Sequence, residues 1–299
     1  MERQLLMVSL ILLSLLSCQN VQKDTQAVDD ITTAETDTAT PPPIVETKSE
    51  TAPQPTEFDW DGPRELKNKL VSELQQGPPE MDKVIMDFLL EYGRIEGEFN
   101  KVLWDMPNRD SLNSLAYAPD GVVYKNALAF KRKVETNGLS IAQSEGHIYI
   151  AKNTKFIKSE IMDYLDSLSV EFIGLYCQEI DSICCDDAAI ILSEETLVNR
   201  ALHWGNMAEK AEGLAYEDIA GSQFNMYRLL IYSGQDNTPS FDWETNKFNE
   251  NLMAQMNRVI ANHPDSKAAR GFIEYLGLLE QEDYMKTEKV SEYISKVME

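Results

Sequence analysis

The stretch Met81–Met106, MDKVIMDFLLEYGRIEGEFNKVLWDM, carries the strongest periodicity in the chain. Large apolar residues recur in it at Met81, Val84, Ile85, Phe88, Leu89, Tyr92, Ile95, Phe99, Val102, Leu103 and Met106, with Met86, Leu90 and Trp104 outside that series. Steps of three, four and seven run through that series. An α-helix turns once every 3.6 residues, so the steps gather these side chains on one stripe. Pro107 has no amide hydrogen to continue the ladder and ends it. A long amphipathic helix is therefore the expected spine of the fold.

The flanking sequence extends the same pattern. Before the spine, Asp61 or Gly62 caps a helix with Pro63 in its first turn and Leu66, Leu70, Val71 and Leu74 at helical spacing, ended by Gly77-Pro78-Pro79. After it, the stretch Asn108–Asn137 reads as a loop with a turn at Pro119-Asp120-Gly121, then a helix through Tyr124, Leu128 and Val134. Then comes the one clear strand signal. Leu139–Gln143 and His147–Ala151 alternate about Ser144-Glu145-Gly146, which predicts a β-hairpin with glycine in its turn. A lone hairpin is marginal in water, so it must pack on helices.

Everything after Asn153 is helical in pattern. Apolar faces run through Phe156–Leu168, Phe172–Ile180, Leu197–Met207, Ile219–Ile231, Phe248–Ile260, Ala268–Leu279 and Val290–Val297. Ser193 caps one of these helices. Trp104 and Trp204 lie on or beside apolar stripes and belong in the core. The fold class is mainly α: antiparallel helical hairpins, partly repeat-like, with one small β-hairpin. Residues 58–299 are expected to form one sizeable core, or two small lobes split near 137–153.

Residues 19–57 are poor in large apolar side chains and rich in Thr, Asp, Glu and Pro, with Pro41-Pro42-Pro43 in the middle. Such a composition cannot bury enough apolar surface to offset ordering entropy, so residues 18–57 read as a tether. Before it, Leu5–Leu16 is an apolar run of about 12 residues, long enough for a signal peptide and short of the roughly 20 that span a bilayer.

That run ends in Leu15-Leu16-Ser17-Cys18, which resembles the lipobox of bacterial lipoproteins: apolar, variable, small, cysteine. The resemblance implies removal of a signal peptide at residues 1–17 and a lipidated Cys18, carrying palmitate-type chains on sulfur. Two or three acyl chains, at about 0.8 kcal/mol per buried methylene, hold a protein stably on a membrane. The implied location is the bacterial cell envelope, anchored through lipid at Cys18 and facing the periplasm or the exterior. A second resemblance lies in Asn262-His263-Pro264-Asp265-Ser266-Lys267-Ala268-Ala269, which is similar to the connector of tetratricopeptide-type helix pairs. In such a connector proline ends one helix and Asp or Ser caps the next. Gly234–Asp242, followed by that connector, resembles a pattern of secreted bacterial proteins to which no activity attaches. Phe58-Asp59-Trp60-Asp61 also recurs as Phe241-Asp242-Trp243-Glu244, each expected just before a helix.

Charge excludes some partners. With 27 Lys and Arg against 50 Asp and Glu, the formal net charge is -23 and the pI about 4.5. Such a chain repels phosphate backbones, and no basic stripe offsets the repulsion, so no nucleic-acid partner is expected. The same charge leaves anchoring to the lipid rather than to anionic headgroups.

Searching for chemistry returns little. Besides Cys18 the cysteines are Cys177, Cys184 and Cys185, with no C-x-x-C or H-E-x-x-H spacing, so neither a metal site nor a cofactor is expected. One bridge, Cys177 with Cys184 or Cys185, fits only where the backbone turns, because positions seven or eight apart on one helix are about 10–12 Å apart. His147, His203 and His263 accompany no nucleophile motif, and no catalytic residue is assigned. Candidate ligand residues are Trp60 and Trp243, aromatic rings at helix starts, and His147 on the hairpin. The expected function is a non-enzymatic helical scaffold that binds an envelope protein or peptide. The alternative is a lipoprotein that captures a glycan or small solute for an uptake system. An enzyme would require His147 to converge with carboxylates.

Overall fold

A computed structural model describes residues 58–106, 109–116, 123–144 and 146–297. The signal-peptide and tether assignments, Cys18, Pro119–Gly121 and Glu145 fall outside the described residues. The chain is mainly helical, as its periodicity predicts. In order it forms α1 (Gly62–Leu74), α2 (Met81–Trp104), α3 (Arg109–Asn113), α4 (Lys125–Thr136), β1 (Leu139–Ser144), β2 (His147–Lys152), α5 (Thr154–Ile161), a 3-10 turn (Met162–Tyr164) and α6 (Ser167–Asp181). Then follow β3 (Cys185–Asp186), β4 (Ala189–Ile190), α7 (Glu194–Lys210), α8 (Glu217–Ser233), β5 (Gly234–Gln235), β6 (Thr238–Pro239), α9 (Glu250–Asn262), α10 (Lys267–Gln281) and α11 (Glu288–Lys296). Among the described residues no helix is long and apolar enough to cross a membrane.

The described residues divide into two compact units, one of residues 58–63 and 94–153, the other of 64–93 and 154–297. Helix α2 contributes to both.

In the smaller unit Phe58 packs against Phe99 and Phe130, with centroids 4.9 and 5.8 Å apart. The β1–β2 ladder pairs Leu139 with Lys152 and Ser144 with His147, antiparallel, and Gly146 takes the left-handed turn at φ +76°. Leu139, Ile148 and Ile150 are buried. Two asparagines replace the third strand that a hairpin of this length lacks. Asn100 Nδ2 donates to the Ile150 carbonyl and Asn100 Oδ1 accepts from the Ile150 amide, both at 2.7 Å. Asn113 Oδ1 accepts from the Ile148 amide at 3.2 Å. The outer edge of β2 is thus hydrogen-bonded by helices instead of water.

In the larger unit the helix starts are set by side-chain caps. Asp166, Ser193, Asn249, Ser266 and Thr287 each accept from a backbone amide two or three residues ahead. Helices α7 and α8 pack as one pair, α9 and α10 as another, and α7 also touches α9 and α10. The core of this unit is aromatic. Phe172 stacks on Tyr216 at 4.0 Å and Tyr232 on Tyr275 at 3.9 Å, and Trp204 is buried as expected.

Several expectations need correcting. Trp104 is 63% exposed rather than core, because the stripe passes through Phe99 and Leu103 and the next residue points a third of a turn away. Ile273, expected on the apolar face Ala268–Leu279, is exposed for the same reason, beside buried Phe272. The loop expected from Asn108 begins instead with the short helix α3. Two further ladders, β3–β4 and β5–β6, interrupt the helical series after Asn153. The first turns through Asp187 (φ 46°) and Ala188 (φ 55°), and the second begins at Gly234 (φ 74°, ψ -162°). A Cβ on Gly234 would lie 2.4 Å from the Thr238 carbonyl oxygen, so only glycine fits.

Candidate functional site

Of the residues singled out in the sequence, Trp60 and His147 belong to the smaller unit, and Trp243, Cys177, Cys184 and Cys185 to the larger. Trp60 is half-buried against Phe58, Phe99 and Phe130, with centroids 5.0, 5.3 and 6.2 Å away, and the Lys133 ammonium lies 4.5 Å from its ring. That is the packing of a staple. Trp243, in the matching motif, is 76% exposed. The motifs share their aspartate chemistry: Asp59 Oδ1 accepts from the Asp61 and Gly62 amides, Asp242 Oδ1 from those of Glu244 and Thr245. Only the first leads directly into a helix. The second closes a turn, and α9 starts later, capped by Asn249, so Trp243 has no helix to staple.

His147 is exposed at the start of β2. Its Nδ1 meets Asn113 Nδ2 at 3.2 Å, and its ring approaches Trp104 edge-on at 6.4 Å. The Arg109 guanidinium lies 3.3 Å from the Trp104 ring centroid. An amide and an indole thus orient the imidazole among the described residues.

Among the described residues Cys177, Cys184 and Cys185 are free thiols, and the possible bridge from Cys177 to Cys184 or Cys185 is not formed. Cys177 is buried on α6, where burial pushes its thiol up to about 12. The thiols that meet are the neighbours Cys184 and Cys185, 3.3 Å apart. Among the described residues no three His, Cys, Asp or Glu side chains are grouped to hold a metal.

A polar network is buried beside them. Arg200, on α7, donates from Nη1 to Glu179 Oε2 and to the Tyr227 hydroxyl, each at 2.9 Å, and from Nη2 to the Ser182 carbonyl at 2.7 Å. Trp204 Nε1 donates to Glu179 Oε1 at 2.8 Å, and the Tyr227 hydroxyl donates to Glu179 Oε2. Burial, then the Glu179 charge, push the Tyr227 phenol up, so it stays a donor. Arg200 is 2% exposed, and a substrate cannot reach it. The network locks α6, α7 and α8 together.

One groove open to a ligand lies between α7 and α9. Glu195, Val198 and Asn199 line one wall; Gln255, Arg258, Val259, Asn262 and His263 line the other. Val198 and Val259 form a buried apolar floor, while Glu195, Arg258, Asn262 and His263 are exposed at the rim. The spacing in α9 is one helix face, i, i+3, i+4 and i+7. Its cavity is about 110 Å³, well below the roughly 300–1,000 Å³ that encloses a small ligand. Three amides, one cation and one carboxylate over an apolar floor suit a chain laid across it. Sequence reading passed over these residues because they look like the solvent face of two amphipathic helices.

No family model matches the chain, and no curated protein or solved structure does so significantly.

Proposed function

We propose that the chain is a bacterial envelope lipoprotein, held to a membrane through lipid on Cys18. Its larger helical unit is a non-enzymatic scaffold that binds an extended peptide or protein segment. One observation carries the binding half of this reading: the shallow groove between α7 and α9, lined by Asn199, Gln255 and Asn262 over Val198 and Val259. A peptide backbone offers alternating donors and acceptors, and a side-chain amide serves both. The apolar floor takes a side chain of the bound segment, and Glu195 and Arg258 set its charge preference. The anchoring half rests on the lipobox-like Leu15-Leu16-Ser17-Cys18.

The test is cross-linking of the full-length protein in its native envelope, with mass spectrometry of what is captured. The Asn199→Ala/Asn262→Ala variant is expected to fold, by circular dichroism, and to lose its dominant protein partner roughly tenfold or more. Two peptide hydrogen bonds at about 0.5–1.5 kcal/mol each account for that loss. Cys18→Ala is expected to leave the membrane fraction. Undiminished capture by the double variant refutes the groove, and membrane retention of Cys18→Ala refutes the anchor.

The second reading, capture of a glycan or small solute, is favoured by the 76% exposure of Trp243, whose ring is free to stack on a sugar face. Oligosaccharide binding lost in Trp243→Ala, with no protein captured by the wild type, selects it.

A further inference from the structure

The segment joining α6 to α7 holds the two thiols of Cys184 and Cys185 in contact. The Cys184 thiol donates to the Cys185 sulfur at 3.3 Å. Cys184 is 6% exposed, whereas Cys185 is partly open to solvent. The backbone on both sides is pinned. Arg200 Nη2 holds the Ser182 carbonyl at 2.7 Å, and the Ile191 amide holds the Cys184 carbonyl at 3.0 Å. At the hairpin tip, Asn237 donates from its amide to the Ala188 carbonyl at 2.9 Å and from Nδ2 to the Asp187 carbonyl at 2.7 Å. Thr238 Oγ1 accepts from the Ile190 amide at 2.6 Å. Two thiols so held need no search to find each other, and an intramolecular step gains its rate from that proximity.

We propose that Cys184 and Cys185 are a dithiol redox site that closes to a vicinal disulfide on reaction with a small disulfide. The Cys185 thiolate attacks one sulfur of the reagent, expelling the other half as thiolate and leaving a mixed disulfide on Cys185. Cys184 gives its proton to the expelled thiolate and attacks the Cys185 sulfur, expelling the second half, which takes its proton from water. The protein loses two electrons and two protons; the reagent disulfide is reduced to two thiols. Accessibility assigns the order, and so does acidity. The Cys184 hydrogen bond holds the Cys185 thiol below its usual range, while the same bond and burial push Cys184 up. Neighbouring Cα atoms are about 3.8 Å apart, below the usual disulfide span of about 4.4–6.8 Å. The closed ring is therefore strained and easily reduced, a reversible state rather than a staple.

The test treats the folded full-length chain with oxidised glutathione, alkylates the remaining thiols, and cleaves before Asp181 and Asp186 to isolate Asp181–Cys185. That peptide is expected to have lost two hydrogens and to carry no alkyl group, in the wild type and in Cys177→Ala alike, and dithiothreitol is expected to reverse the loss. Cys184→Ser is expected to trap glutathione on Cys185, and Cys185→Ser to leave Cys184 reduced. A bond from either thiol to Cys177 or Cys18, both thiols remaining alkylatable, or closure only in denaturant overturns the proposal.

Discussion

Asn100 is a polar residue on the helix with the most regular apolar stripe, and it makes two hydrogen bonds to one residue of a neighbouring strand. Ile150 is fully buried, so its amide and carbonyl have no water to turn to when the asparagine is removed. Each buried backbone group left unsatisfied costs about 1–3 kcal/mol. Asn100→Leu is therefore expected to destabilise the protein by about 2–4 kcal/mol, read from the midpoint of urea unfolding. A change under about 0.5 kcal/mol, the range of ordinary surface substitutions, would show that the strand edge does not depend on it. Sequence reading could not have found this residue. An asparagine on the polar side of an amphipathic helix looks solvated, and its partner lies fifty positions away. The same blindness applies to Trp104, which differs from buried Leu103 by one step around the helix.

Helices of ten residues or more were legible because each repeats its apolar period several times, and caps such as Ser193 and Ser266 mark their starts. The β1–β2 hairpin was legible for the same reason, with two alternating runs about a glycine. The ladders β3–β4 and β5–β6 have two residues per strand, too few to show any period. The turn of the first is built by Asp187 and Ala188, neither of which announces a left-handed conformation in the way glycine does. Contacts between elements carry a prediction of their own. Asp181 ends α6, where the helix dipole disfavours a negative charge, yet it ties α6 to α5. Its Oδ2 accepts from Lys158 Nζ at 2.9 Å, and its Oδ1 accepts from the Thr154 hydroxyl. Partial burial pushes the Asp181 carboxyl up, but the bonds from Thr154 and Lys158 outweigh that and hold it below its usual value. A carboxyl lowered in the folded state contributes stability that is complete above the unfolded pKa, about 3.9, and is lost as pH falls through the folded one. Asp181→Asn is thus expected to be less stable than wild type at neutral pH, with the difference closing below about pH 4. Urea midpoints of both proteins between neutral and acidic pH measure it. A gap of constant size across that range would mean that the charge of Asp181 contributes nothing.

The whole molecule must fold against its own charge, 27 basic groups facing 50 acidic ones. Salt acts on that balance in two opposed ways. It weakens ion pairs, and it screens the repulsion among the unmatched carboxylates. Magnitudes decide which wins. The surface pairs, such as Lys83 with Glu80 and Lys69 with Glu73, are largely exposed and worth about 0–1 kcal/mol each. The better-buried pairs, Lys152 with Glu96 and Arg200 with Glu179, lie where salt screens poorly. Little attraction is therefore lost, while a net charge of -23 is repelled over a Debye length that shrinks from about 30 Å at 0.01 M to about 10 Å at 0.1 M. Stability is expected to rise with potassium chloride over that range. A gain of about 1 kcal/mol corresponds to an increase in Tm of about 2–4 °C for a folded part of this size. A falling Tm would mean that ion pairs, not repulsion, dominate the electrostatics of the fold. The same imbalance bears on the groove between α7 and α9, where Arg258 is an exposed cation in a chain short of them. If the groove binds a segment as proposed, the overall field would favour one with basic residues, and Glu195 is the rim carboxylate that could receive one.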